Sequence, residues 1–219
     1  MKNLNLYFDH TVLKPETTEA DVIKLCNEAR EYGFYAVCVN SSYVPFASEL
    51  LEGSDVRVAC VVGFPLGACS TDTKVFETEW AAQNGAEEID MVIHVGALKG
   101  GRLEYVMKDI KAVVDAAAKQ GAVVKVILET CLLTDDEVVK ACELSRDAGA
   151  AFVKTSTGFS KEGATVHHVA LMKKTVGDAL QVKASGGIRD LKKTMDMIQA
   201  GADRIGASAS VEILKESRK

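Results

Sequence analysis

One grammar recurs along this chain and limits its fold more than any other feature. A segment with helical periodicity ends, a glycine and an alanine follow, and a short apolar run begins. It is spelled out in AQNGAEEIDMV, RDAGAAFVKT and IQAGADRIGA. Each is the αβ loop of a repeating strand–helix unit. The apolar runs lack polar alternation, as strands buried on both faces of a parallel sheet do. They predict strands at Leu6–His10, Tyr35–Val39, Arg57–Val62, Glu88–Ile93, Val123–Leu128, Ala151–Lys154, Gln181–Ala184 and Asp203–Ile205. Thr18 with Asp21 and Thr134 with Glu137 have capping-box spacing, and Gly33, Gly85, Gly121, Gly149 and Gly201 stand where a helix ends. No linker, charge block or low-complexity stretch interrupts the series. The pattern predicts one closed (β/α)8 barrel over residues 1–219, a single catalytic domain. A doubly wound open sheet would need G-x-G-x-x-G after its first strand, where this chain has DHTVLKP.

A barrel carries its chemistry at the C-terminal ends of its strands. Position alone nominates Asp9, Cys38, Asn40, Asp90, His94, Glu129, Lys154, Lys183, Gly206 and Ser208. Two of these are lysines that close apolar runs, Lys154 in FVKTSTG and Lys183 in VKASGGIR. A single such lysine more often caps its strand and snorkels to water. Two, each followed by its own glycine-bearing turn, favour chemistry. Desolvation lowers an ammonium's pKa, and two ammonium groups facing one cavity depress each other. One is then left as a free amine, the nucleophile of Schiff-base chemistry. Asp90, between Ile89 and Met91, is costly without a cation. The opposing lysines can supply one, giving either a buried ion pair or a proton relay with Lys183.

Glycines suggest an anion site. Gly186 and Gly187 follow the seventh strand, Gly206, Ala207 and Ser208 the eighth, and Thr157 with Gly158 adds a third edge. Loops after strands seven and eight often hold phosphate in this architecture. His94 is expected to be structural, His167 and His168 to meet solvent on an outer helix, Cys38 to fill space, and Trp80 to lie in the core or an interface.

A formal net charge of -5 argues against a generic nucleic-acid or anionic-membrane surface. No apolar run reaches transmembrane length and the N-terminus has no secretory pattern, so a cytoplasmic protein is expected. The six cysteines form no C-x-x-C pair and stand apart from the four histidines. Neither a disulfide frame nor a metal is expected.

FVKTSTG, EIDMVI with GALK downstream, VKASGGIR, DHTVLKP and VKVILET together resemble the 2-deoxyribose-5-phosphate aldolases, in that family's order and over almost the whole chain. The resemblance implies a class I aldolase on a (β/α)8 barrel, without metal or cofactor and commonly dimeric. Such enzymes reversibly cleave 2-deoxy-D-ribose 5-phosphate to D-glyceraldehyde 3-phosphate and acetaldehyde. It assigns the Schiff base to Lys154, the lowering of its pKa to Lys183 and the proton relay to Asp90. It puts phosphate contacts on Gly158, Gly186, Gly187, Gly206 and Ser208. The residues alone leave the two lysines equivalent; the resemblance chooses between them. Three departures stand out: Phe159 where some members have lysine, His94 where many have asparagine, and an end, VEILKESRK, without the tyrosine some tails carry. A Schiff-base barrel acting on another phosphorylated aldose, or a non-catalytic barrel binding a phosphorylated metabolite, are the competing readings.

Overall fold

In a computed structural model describing residues 3–219, eight parallel strands pair in chain order and close, the last against the first. They are β1 Phe8–Thr11, β2 Ala36–Val39, β3 Arg57–Val62, β4 Glu88–Val92, β5 Val123–Ile127, β6 Phe152–Lys154, β7 Gln181–Ser185 and β8 Arg204–Ala207. The helices are α1 Glu19–Tyr32, α2 Val44–Leu50, α3 Thr71–Gln83, α4 Val95–Lys99, α5 Leu103–Ala118, α6 Asp135–Asp147, α7 Val166–Val176, α8 Leu191–Gln199 and α9 Ser210–Glu216. The predicted barrel is the fold.

Both capping boxes form, Thr18 with Asp21 at α1 and Thr134 with Glu137 at α6. All five glycines expected at helix ends have positive φ. The first and last strands differ from expectation. Leu4–Tyr7 is a 3-10 turn, because the Asn5 amide donates to the carbonyls of Tyr32 (3.2 Å) and Gly33 (2.8 Å) and ties that segment beneath α1. Asp203 lies outside β8, its carboxylate accepting the Val182 N–H at 2.9 Å. Gly206 and Ala207 are inside β8 rather than in a turn after it.

Side chains alternate across a strand, so the barrel has two interiors. Phe8, Val37, Val39, Val58, Cys60, Ile89, Met91, Val124, Val126, Val153, Val182 and Ile205 point outward into the main apolar core beneath the helices. Of the inward residues, Cys38, Ala59 and Val61 make a small apolar cluster with Leu13 and Phe64. The other inward side chains are largely ionic. Between the helices lies one more buried charge pair, Lys74 of α3 donating to Asp109 of α5 at 2.6 Å, with the Thr71 hydroxyl on the other carboxylate oxygen. Among the described residues all six cysteines are free, and no helix is long and apolar enough to cross a membrane.

Candidate active site

Strand register stacks the charges. Asp90 lies opposite Lys125, Lys154 opposite Lys183, and Lys183 opposite Arg204. Asp90 Oδ2 accepts from Lys154 Nζ and Lys183 Nζ, each at 2.8 Å, and Oδ1 accepts from Lys125 at 2.7 Å. Lys183 also donates to Asp9, whose other oxygen accepts from Arg204 at 2.7 Å. Lys125 reaches Glu88 at 2.5 Å, and Arg204 reaches it at 3.3 Å. All of these side chains are buried. The cation demanded by Asp90 is therefore present three times over.

The two lysines are not equivalent. Burial lowers the Lys154 pKa; Asp90 opposes and Lys183 adds to the lowering, so the amine ends below its ordinary value. Lys183 is as deeply buried, but Asp9 and Asp90 outweigh that cost and raise its pKa. Mutual depression, expected of both, falls on one. Asp90 is held well below the usual carboxylate range because Lys125, Lys154 and Lys183 together overcome its desolvation. It is an anion wherever the protein is folded near neutral pH.

A cavity of about 360 Å³ opens above this layer. Small-molecule sites commonly run from ~300 to ~1,000 Å³. Lys154 lines the cavity; Asp90, Lys183 and Lys125 do not. Of the interior lysines, only the one with the lowered pKa can meet a ligand. Asp9, Asp90 and Lys183 lie a layer below the strand ends at which the sequence seemed to place them. The walls include Gly158, Gly186, Gly187, Gly206 and Ser208, so the sequence-nominated anion residues converge. Gly158 and Gly186 have φ of 84° and 86°. A Cβ at Gly163 would stand 2.0 Å from the Gly186 carbonyl oxygen, which shows how closely the β6–α7 and β7–α8 loops meet.

The sequence reading missed several members. Lys14, Arg189, Thr11 and Ser185 line the same cavity, and Lys193 Nζ would be 3.4 Å from a Cβ at Gly187. The signal for Arg189 was its place directly after the GGI turn. Lys125, Glu88 and Arg204 were also missed. Their signal was a charge at alternate positions of an otherwise apolar strand, most legibly in EIDMV.

Other nominees are peripheral. His94 caps α4 by accepting the Ala97 N–H at 3.1 Å on Nδ1, a structural role. Glu129, at φ 57°, accepts from the backbone and hydroxyl of Thr157, and burial raises its pKa. Asn40 ties to the Leu13 carbonyl at 3.3 Å. His167 is exposed and pairs with Asp135 at 2.8 Å, whereas His168 is half-buried beside the same carboxylate. Trp80 is on the outer face of α3 near the exposed Phe76, not in the core. Cys38 packs in the small apolar cluster as expected, with its Sγ 4.0 Å from Asp90 Oδ2. Phe159 stands half-exposed at the mouth, edge-on to Phe64 at 5.2 Å.

Fold and site together define a (β/α)8 barrel with a desolvated lysine amine beneath a glycine-lined, cation-rimmed mouth. Residues 4–216 match the DeoC/LacD family aldolases, and the chain belongs to that family. A deoxyribose-phosphate aldolase of Alkaliphilus oremlandii (strain OhILAs) is 57% identical over 216 residues, covering 99% of this chain and 97% of its own. One from Thermococcus gammatolerans (strain DSM 15229 / JCM 11827 / EJ3) is 56% identical over 214 residues, 97% of this chain and 95% of its own. The solved structure of an Aeropyrum pernix deoxyribose phosphate aldolase, described as tetrameric, superposes with a TM-score of 0.93 at 36% identity. It covers 99% of this chain and 91% of that one.

Proposed function

We propose that this chain is a metal-independent class I aldolase. It reversibly cleaves 2-deoxy-D-ribose 5-phosphate to D-glyceraldehyde 3-phosphate and acetaldehyde through a Schiff base on Lys154. One observation carries the assignment of the nucleophile: Lys154 alone among the interior lysines combines a lowered pKa with access to the cavity. The family and the names of its relatives supply the substrate.

The Lys154 amine adds to the C1 aldehyde of the open-chain sugar, and the carbinolamine loses water to form an iminium ion. Deprotonation of the C3 hydroxyl then breaks the C2–C3 bond. Its electron pair moves into the iminium as an enamine, and glyceraldehyde 3-phosphate departs. Protonation of the enamine at C2 and hydrolysis release acetaldehyde and restore the amine. Asp90 and the Lys183 ammonium, which meet Lys154 on one carboxylate oxygen beneath the cavity, form the proton relay through that amine. The lowered pKa of Asp90 and the raised pKa of Lys183 make each a weak base or acid until a charge changes beside it. The 5-phosphate lies against Gly158, Gly186, Gly187, Gly206 and Ser208, with Lys14 and Arg189 neutralising its charge. Incubation with substrate and borohydride should leave an adduct on Lys154. A coupled assay should report glyceraldehyde 3-phosphate release undiminished by EDTA. Folded protein that shows neither adduct nor release would rule this function out.

The protein acts as a homo-oligomer, in the first instance a dimer, and works in the cytoplasm. The tetramer of the Aeropyrum pernix relative supports assembly, and six free thiols suit a reducing compartment. Light scattering of the purified protein tests the first statement.

A further inference from the structure

We infer that Glu88 and Arg204, on the floor of the barrel, set the protonation of Lys154 by fixing the net charge of the sealed interior. The inference rests on Lys154 being the nucleophile. Neither residue lines the cavity.

Among the described residues, the strands point three carboxylates inward, Asp9, Glu88 and Asp90, against four cations, Lys125, Lys154, Lys183 and Arg204. With every group ionised the interior holds one positive charge too many. A buried surplus charge is costly and is relieved most directly by losing a proton. Geometry decides which cation loses it. A guanidinium does not deprotonate. Lys125 touches three carboxylates, Asp9 at 3.4 Å, Glu88 at 2.5 Å and Asp90 at 2.7 Å. Lys183 touches Asp9 and Asp90. Lys154 touches Asp90 alone, through an oxygen it shares with Lys183. It is the least-held cation of the set, and the proton leaves there.

Among the described residues, no surrounding group outside these seven makes an ion pair with Lys154. From β2, the Cys38 thiol is kept neutral by burial, which raises its pKa. Arg57 of β3 is half-exposed at the floor, 3.6 Å from Glu88 and 3.8 Å from Glu87. Tyr35 gives its ring face to Arg204 at 3.6 Å. Above, Glu129 lines a side pocket of the mouth and is engaged by Thr157; burial raises its pKa, and it acts on Lys154 through the field without pairing with it. Glu88 is two residues below Asp90 on the same strand, roughly 6.6 Å at the usual rise. It therefore acts on Lys154 through Lys125, Asp90 and the field, not through contact.

The two floor residues carry opposite charge, so their removal must have opposite signs. Glu88→Gln raises the surplus to two and favours the neutral amine further. The acid limb of the pH profile should move down. Arg204→Met removes the surplus, and the limb should move up. A shift of about one pH unit is the scale of a unit charge ~10 Å away at an effective dielectric of ~20. Arg204→Lys keeps the charge and should restore the wild-type position. The readout is the pH dependence of borohydride trapping of acetaldehyde at Lys154, located by peptide mass. Wild-type protein that traps nothing there defeats the proposed function itself. If wild type traps on Lys154 but the two limbs coincide with it, or move the same way, the inference alone is overturned. Should Arg204→Met fail to fold, the isosteric Glu88→Gln still decides, since an unmoved limb means Lys125 has shed the proton instead.

Discussion

Two of the buried lysine–aspartate pairs in this protein do different work. Lys74 and Asp109 meet between α3 and α5, one cation to one carboxylate, with Thr71 filling the remaining oxygen. Lys154 and Asp90 meet inside the barrel, where Asp90 is shared by three lysines and Lys154, among the described residues, forms an ion pair with no other carboxylate. The first pair is closed and balanced, which is what a buried charge needs merely to persist. The second is open on one side to a cavity and left with an excess of cations. Balance makes a fastener; imbalance makes a reagent.

The strongest way to break this contrast is to delete the two amines in turn. Lys154→Ala should abolish borohydride trapping and cut turnover by on the order of 10⁴–10⁶. Lys74→Ala, assayed per folded molecule, should leave kcat/KM near wild type. Next in size is Lys183→Ala, which leaves the nucleophile but removes the cation beside it. Turnover at neutral pH should fall by on the order of 10²–10³, and trapping should survive and grow as pH rises. The Lys154 pKa should recover only in part, because burial is the larger cause of its lowering. Complete loss of trapping at every pH, with trapping kept in Lys154→Ala, would instead make Lys183 the attacking residue.

Stability should separate the pairs in the opposite sense. Lys74→Met strands the Asp109 carboxylate and should cost about 3–5 kcal/mol in denaturant unfolding. Lys154→Met removes the surplus cation while Asp90 keeps Lys125 and Lys183, and should gain on the order of 1 kcal/mol at pH 6. That gain has a definite pH dependence. Wild-type Lys154 titrates lower in the folded state than in the unfolded chain, where its pKa is about 10.4. The wild type therefore gains stability as pH rises from the folded value toward the unfolded one. The methionine variant lacks that gain, so its advantage should be widest below the folded pKa of Lys154 and shrink as pH rises from there toward the unfolded value. Circular dichroism melts across pH read the difference directly. A variant less stable than wild type at every pH would mean that Lys154 is a fastener after all.

Much of this was legible in the sequence because it was written in local patterns. The glycine–alanine grammar gave the barrel, and the closed strand order confirms it. Lys154, Lys183 and Asp90 announced themselves as charges inside apolar runs, and register brings all three together. Gly206 was read as a turn because glycine ordinarily punctuates; here it sits within β8, with no side chain, against the Lys183 stem. Glu88, Lys125 and Arg204 escaped notice for a different reason. Attention to strand ends passes over residues one pleat lower, and nothing local says that charges from β4, β5 and β8 share one axis. The asymmetry between the two lysines was likewise hidden. It depends on Asp9, 174 positions from Lys183 in the chain.

The contact between Gly163 and Gly186 has a consequence for how such a protein can change over generations. Gly163 is not among the residues lining the cavity, so a survey of variation confined to those residues would pass it by. Yet any side chain there would drive into the Gly186 backbone and push one lip of the mouth away from the other. The two loops can therefore change only together, and new sugar preferences are reached with less disturbance at a half-exposed side chain such as Phe159 than at the seam. What looks like an unremarkable glycine is a limit on the lineage's repertoire.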